Sequence, residues 1–426
     1  MMRIRSYSFS SLSLLALILV GCGGGDPAAP LSNRSVLAIT GDMPYGATPT
    51  DTVEFDASPA YIAAINSDKD VSMVLHTGDI HSGKQYCTQT YNASIYSQWS
   101  AFKVPLVYTP GDNEWADCHK KKEGGGLYNA LTGVIDYVVD SGSNLVNYAG
   151  GDPVANLELV RSIFFSSPGK TLGSAMSVHT QAQEFDPAHP TDSSYVENVW
   201  FEKSGVLFVT LNIPGGSNNG TDPWYGVPTA SPAQQTLVAN FTGAATRWLD
   251  TAFAKAAANG DKAVVIMEQA DLWDLDGLAM SALHLTQHKQ YVDKIASLTT
   301  TFAKPVLLIN GDSHFYRSDN PLMQGAPCKV EIPSLTTGSK STSTTTCADS
   351  VANGALKTLT LADPHDTVQP VGTIYNVPNF HRIVVHGNAT ASGTYKEYVK
   401  LTVDPSVNVA ASENAFGPFS WTRVQP

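Results

Sequence analysis

Four apolar runs of this chain stop at Gly-Asp. Their aspartates are Asp42, Asp79, Asp112 and Asp312, and the last is followed by Ser313-His314. Carboxylates and an imidazole brought to one place can bind a divalent cation, which in turn can activate water and neutralise an anionic substrate. Each aspartate follows a β-rich run of strand length bounded by turn residues, at 36–40, 71–77, 105–110 and 305–310, and such runs predict strands. The Gly after each run predicts a sharp turn that frees the following Asp to point out of the sheet edge. A single Gly-Asp reads equally well as a turn or a helix cap. Four in one context predict a site assembled at strand ends.

The elements that must position these residues are those of an α/β protein. Ser58-Pro59 predicts the cap and first residue of a helix that runs to Asn66. An Ala-rich helix is expected over 244–258, with Trp248, Leu249, Ala252 and Phe253 on one side and Asn259-Gly260 as its stop. Residues 205–213 and 263–267 read as buried strands, the first running into a Gly-rich loop at 214–220. Residues 382–386 and 398–403 read as closing strands. Length alone suggests two or three domains, but the Gly-Asp segments must converge. One domain over 36–426 is therefore expected, with a loop insertion near 320–375.

The amino terminus reads as an address. Arg3 and Arg5, an apolar stretch over 12–20 and Leu19-Val-Gly-Cys22 predict an export signal over 1–21. The segment resembles a bacterial lipoprotein signal, with Cys22 as the lipidated residue. Gly23 stands where an Asp would indicate inner-membrane retention, so the resemblance implies the outer membrane. Residues 22–35, rich in Gly, Pro and Ala, read as a flexible tether. In an oxidising compartment Cys87, Cys118, Cys328 and Cys347 allow three pairings. Cys87 with Cys118 would join the loops after the second and third Gly-Asp strands, and Cys328 with Cys347 would staple a Ser/Thr-rich excursion. A zinc site is the competing reading, but no short Cys-x-x-Cys pair is present. The formal net charge of −12, made more negative by loss of Arg3 and Arg5, argues against nucleic acid as a partner. Membrane contact is expected through the lipid alone.

Taken in order, Asp42-Met-Pro44, Asp79-Ile-His81, Asp112-Asn113-Glu114, Glu268-Gln269-Ala270-Asp271 and Asp312-Ser-His314 resemble the motifs of the calcineurin-like metallophosphoesterase superfamily. The resemblance implies a four-layer α-β-β-α sandwich and a metal centre at its strand ends. It maps Asp42, Asp79 and His314 onto one ion. A second ion would take Asp79, Asp112, Asp312 and the Gln269 amide oxygen. Several positions depart from the family pattern: Pro44 and Asp312 replace histidines, Asp112 replaces an asparagine, Gln269 falls near a lone histidine, and Asn113 stands where the proton-donating histidine belongs. Exchange of His and Asn for Asp and Gln makes an oxygen-rich site, suited to Mg²⁺, Mn²⁺ or Ca²⁺ rather than zinc.

The resemblance implies hydrolysis of a small phosphate mono- or diester by a metal-bound hydroxide, outside the cytoplasm. With Asn113 in the donor's place, His81 and His119 are the nearby imidazoles that could protonate a leaving oxygen. Arg317 is a candidate phosphate clamp, and Asn218 and Asn219 are candidate substrate contacts. The alternative is a non-catalytic surface module that keeps the fold and at most one structural cation. No Gly-x-Ser-x-Gly elbow supports a serine hydrolase.

Overall fold

The computed structural model describes residues 33–220, 222–273, 282–323, 326–333, 340–346, 375–387 and 397–425. Three of the Gly-Asp runs lie side by side: Ser35–Thr40, Val71–His76 and Pro105–Tyr108 pair in parallel, with Ala38 opposite Val74 and Leu75 opposite Val107. Tyr398–Val403 flanks Ser35–Thr40 antiparallel. Phe419–Val424, Ala415–Phe416 and Leu172–Gly173 complete a seven-stranded sheet. The fourth run, Val306–Asn310, lies in a nine-stranded sheet between Val264–Met267 and Phe380–Val384, both parallel to it. Both sheets mix parallel and antiparallel pairs, so the fold is of the mixed α/β kind that the strand and helix patterns predict. The described residues form one compact unit.

Three apolar clusters explain why the central strands are almost continuously hydrophobic. Leu37, Ile39, Met73 and Leu75 of the first sheet meet Phe208, Val265, Leu307 and Ile309 of the second. Ala38, Val74 and Leu106, on the other face of the first sheet, pack against Tyr61, Ile95 and Val160 from the helices Val53–Ser67, Gln89–Trp99 and Pro153–Phe164. Val209, Ile266 and Leu308, on the other face of the second, pack against Trp248 and Leu249 of Pro232–Asn259 and Tyr291 and Ile295 of Ala282–Phe302. A strand covered on both faces has no solvent side to mark with polar residues.

The first helix starts at Val53, and Pro59 lies inside it rather than at its start. Pro59 has no N–H to offer the carbonyl of Phe55. Gln98 Nε2 of the neighbouring helix supplies the missing donor, at 3.1 Å from that carbonyl. The added turn carries Glu54 into the interior, where it holds the backbone N–H of Tyr45. The Ala-rich helix also begins earlier than its apolar stripe suggests. Ser231 caps it by accepting from the N–H of Gln234 at 3.1 Å, Pro232 is its first residue, and Gly260 ends it in the left-handed conformation.

Of the insertion expected near 320–375, Pro327–Pro333 and Lys340–Thr346 form an antiparallel pair that extends the second sheet. Cys328 is disulfide-bonded; Cys347, its expected partner, lies outside the described residues, as do the expected signal, Cys22 and most of the tether. Among the described residues no helix is long and apolar enough to cross a membrane.

Cys87 and Cys118 are joined across 31 residues, as the loop positions predict. Both sulfurs lie against the Asn113 carbonyl, at 3.3 and 3.5 Å, so the staple fixes the loop that follows Gly111-Asp112. Closing a loop of this size constrains the unfolded chain by about 3.7 kcal/mol on the chain-entropy account. Replacing both cysteines by Ser should therefore lower the denaturation midpoint clearly, and a non-reducing peptide map of the wild type should recover Cys87 bonded to Cys118. An unchanged midpoint, or Cys87 found with another partner, would contradict the assignment.

Candidate metal centre

Asp42, Asp79 and His314 converge from three strand ends: one ligand atom of each lies within 4.8 Å of the others. All three adopt positive φ, at 51°, 57° and 61°, a region that side-chain-bearing residues rarely occupy and that concentrates at functional sites. Asp42 and Asp79 are buried, while His314 is a third exposed. Asp42 Oδ1 accepts from the N–H of Asp312 at 2.9 Å and lies 3.6 Å from His314 Nε2. Asp42 Oδ2 is buried with no hydrogen-bond partner. A buried carboxylate oxygen without a partner, on a side chain grouped with two other possible ligands, fits a site for a hard cation.

The glycines act differently from the expectation that they supply the turns. Gly41, Gly111 and Gly311 are not left-handed; among the four, only Gly78 is. What they supply is space. A Cβ on Gly111 would lie 2.0 Å from Asp79 Oδ1, and one on Gly311 would lie 2.5 Å from Asp42 Oδ2. Gly111 and Gly311 thus make room for the carboxylate of another Gly-Asp segment, and Asp42, Asp79 and Asp312, though not Asp112, take the strained left-handed backbone.

Burial dominates the electrostatics. It pushes the carboxyls of Asp42 and Asp79 well above their ordinary range, and the surrounding carboxylates, Asp112 and Glu114 among them, push the same way. Asp112 is raised to about 7, by burial first and then by Asp117. Such a cluster favours protonation until a cation supplies the opposing charge. Asp271 goes the other way: burial would raise it, but the guanidiniums of Arg382 and Arg317 hold it below the usual range. Asp271 Oδ2 accepts from Ser313 Oγ at 2.8 Å, and its N–H donates to Asp312 Oδ2 at 3.1 Å, which fixes the segment that carries His314.

The remaining expected site residues divide between the rim of this cluster and the interior. Asn113 Nδ2 donates to Asp79 Oδ2 at 2.8 Å, and Asp112 is in hydrogen-bond contact with Asp79. Among the described residues, neither Asp112 nor Asp312 joins the Asp42, Asp79 and His314 group. The amide oxygen of Gln269, expected to face an ion, accepts instead from the N–H of Gly215 at 2.8 Å. His81 is fully buried with its ring edge against Tyr91, and burial pushes its imidazole down to about 4; at neutral pH it is not an imidazolium. His119 Nδ1 accepts from the N–H of Tyr225 at 3.0 Å. His119 belongs to a second group, with Asp117 and Asp222, whose two carboxylates are already bridged by the Lys120 ammonium. Arg317 is buried in the strand Arg317–Asp319. Asn218 and Asn219 are buried as well: Asn218 Nδ2 donates to Thr242 Oγ1 at 3.1 Å, and Asn219 Oδ1 accepts from Trp224 Nε1 at 3.3 Å. The first bond pins the loop to the helix Pro232–Asn259 and the second to the turn at Trp224.

Residue-by-residue reading missed Tyr45. Its hydroxyl donates to Asp79 Oδ2 at 2.6 Å and lies 3.2 Å from His314 Nε2, and it accepts from Asn113 Nδ2 at 3.2 Å. Its ring stands edge-on to His314, with centroids 5.2 Å apart. The signal available was position alone, three residues beyond Asp42. Glu114, in sequence only the end of a motif, accepts at Oε1 from both the N–H of Gly111 and Tyr108 Oη and locks the third turn. Compared with known proteins, the chain matches no family model and no curated sequence.

Asp112 offers a test of the electrostatics. It titrates at about 7 in the folded chain against a reference value of 3.8, so between those values the folded state holds the extra proton. Its contribution to stability is complete below the lower value and is lost as pH rises through about 7. In denaturant titrations of cation-free protein, Asp112→Asn should therefore gain on the wild type from about pH 4 to about pH 7 and hold that gain above it. A stability difference independent of pH would contradict this.

Proposed function

We propose that the chain is an exported, metal-dependent phosphoesterase of the calcineurin-like kind, acting on a phosphate mono- or diester. The observation that carries this reading is the convergence of Asp42, Asp79 and His314 at strand ends, with Asp42 Oδ2 left without a partner. The order of the apolar clusters, helices against sheet, sheet against sheet, sheet against helices, supports the four-layer sandwich that the motif order implies. Lipidation at Cys22 and residence at the outer membrane are proposed from the signal-like first 21 residues.

Asp42, Asp79 and His314 would hold the cation, which would neutralise phosphoryl oxygens and acidify a bound water. The donor set has two carboxylates and one imidazole, in keeping with Mn²⁺, Mg²⁺ or Ca²⁺. A second ion on Asp79, Asp112 and Asp312 would share only Asp79 with the first. The chain's own part is positional. Asn113, held by the disulfide, orients Asp79. The Asp271 and Ser313 pair orients His314, and His314 is the exposed member through which a substrate would reach the site.

The test is release of phosphate or alcohol from a panel of mono- and diesters by the purified protein with Mn²⁺ or Mg²⁺ added. Activity that appears with cation, disappears with chelator and falls to background in Asp79→Asn, with a smaller loss in Gln269→Ala, is expected. A wild type that binds cation but turns over none of the panel would favour the non-catalytic module instead.

A further inference from the structure

We infer that Tyr45 is a fourth donor to the cation site, its phenolic oxygen completing the set begun by Asp42, Asp79 and His314. This rests on the metal-centre reading above and adds a ligand that the motif comparison does not supply. The position where that comparison would place an imidazole is Pro44, whose side chain has no donor atom. The next residue fills the gap. Tyr45 Oη is 2.6 Å from Asp79 Oδ2 and 3.2 Å from His314 Nε2, within direct reach of two of the three candidate ligand side chains.

The side chain is also built into place. The Tyr45 N–H is held by Glu54 Oε2 at 2.5 Å, on the helical turn that precedes Pro59. The carbonyl of Pro44 accepts from Tyr91 Oη at 3.4 Å. The Tyr45 ring braces the His314 ring edge-on, and Asn113 Nδ2 donates to Tyr45 Oη. A fixed backbone, a braced ring and an oriented oxygen are the marks of a preorganised ligand. With it the donor set becomes three oxygens and one nitrogen, and a six-coordinate hard cation still keeps positions open for water and substrate. Coordination of a cation would exchange the Tyr45 O–H bond for an oxygen–cation bond. The proton leaves to buffer, and no electron is transferred.

The contrast with the second acidic group sharpens the point. Asp117 and Asp222 share the Lys120 ammonium, so that cluster already contains its cation. Tyr45 brings no positive charge to Asp42 and Asp79 and therefore leaves the need for one in place.

The test uses Mn²⁺ as probe on the purified protein, with calorimetry for affinity and ultraviolet difference spectroscopy for phenol ionisation. The wild type should bind Mn²⁺ with an ionised-phenol band that grows with occupancy. Tyr45→Phe should bind at least about tenfold more weakly, the smaller loss typical when a group around a metal is removed, and should show no such band. Equal affinity in the variant, or Mn²⁺ binding by the wild type without the band, overturns the assignment of Tyr45 while leaving the metal centre standing. Absence of any Mn²⁺ binding by the wild type overturns both. If Tyr45→Phe does not unfold cooperatively, the wild-type band alone decides.

Discussion

The structure is organised around two carboxylates, Asp42 and Asp79, confined where water does not reach them and where Asp112 and Glu114 crowd them with like charge. An ionised carboxylate in such a place is costly unless it is paired or bound to metal. Within the cluster Asp42 Oδ1 receives one backbone N–H, and Asp79 receives the Tyr45 hydroxyl and the Asn113 amide. None of these brings a positive charge. A divalent cation would, and cation binding, ionisation of the cluster and stability of the folded chain are then linked quantities.

That confinement explains features that look unrelated along the chain. The parallel strands bring their carboxyl ends to one edge, where left-handed aspartates turn inward. Gly111 and Gly311 leave the volume that the carboxylates occupy. The disulfide holds the Asn113 carbonyl, and Glu114 ties the same turn to Tyr108. Deeper in the second sheet, Arg382 is fully buried between Asp319 and Asp271. A buried ion pair of this kind is weak evidence for stability, since desolvation offsets much of the attraction. Its geometric consequence is clearer: it keeps Asp271 ionised to receive Ser313 and so positions the His314 segment.

The strands and the aspartates at their ends were legible in the residues, because a buried parallel strand is an apolar run and its end is marked by Gly-Asp. The grouping of Asp42, Asp79 and His314 was an expectation carried by the motif resemblance, and the three side chains do lie together. What escaped depended on contacts between distant segments. The space-filling reason for Gly111 depends on where Asp79 lies. The early start of the first helix depends on Gln98 rescuing the carbonyl that Pro59 leaves unpaired. His81 and His119 stand close in sequence to the right aspartates, yet a side chain's direction is set by what it packs on, here Tyr91 and Tyr225. The Gln269 amide likewise answers to Gly215. Tyr45 carries no metal-ligand signature by type, and only the folded chain sets its oxygen beside Asp79 and His314.

The most direct test of the central claim is a crystal structure of the Mn²⁺-loaded protein, with the ion located by its anomalous scattering. A single strong peak bounded by Asp42, Asp79 and His314, at ligand distances of about 2.0–2.6 Å as hard cations adopt, is the predicted result. A fully loaded crystal with no peak there, or with its only peak beside Asp117, His119 and Asp222, would contradict it.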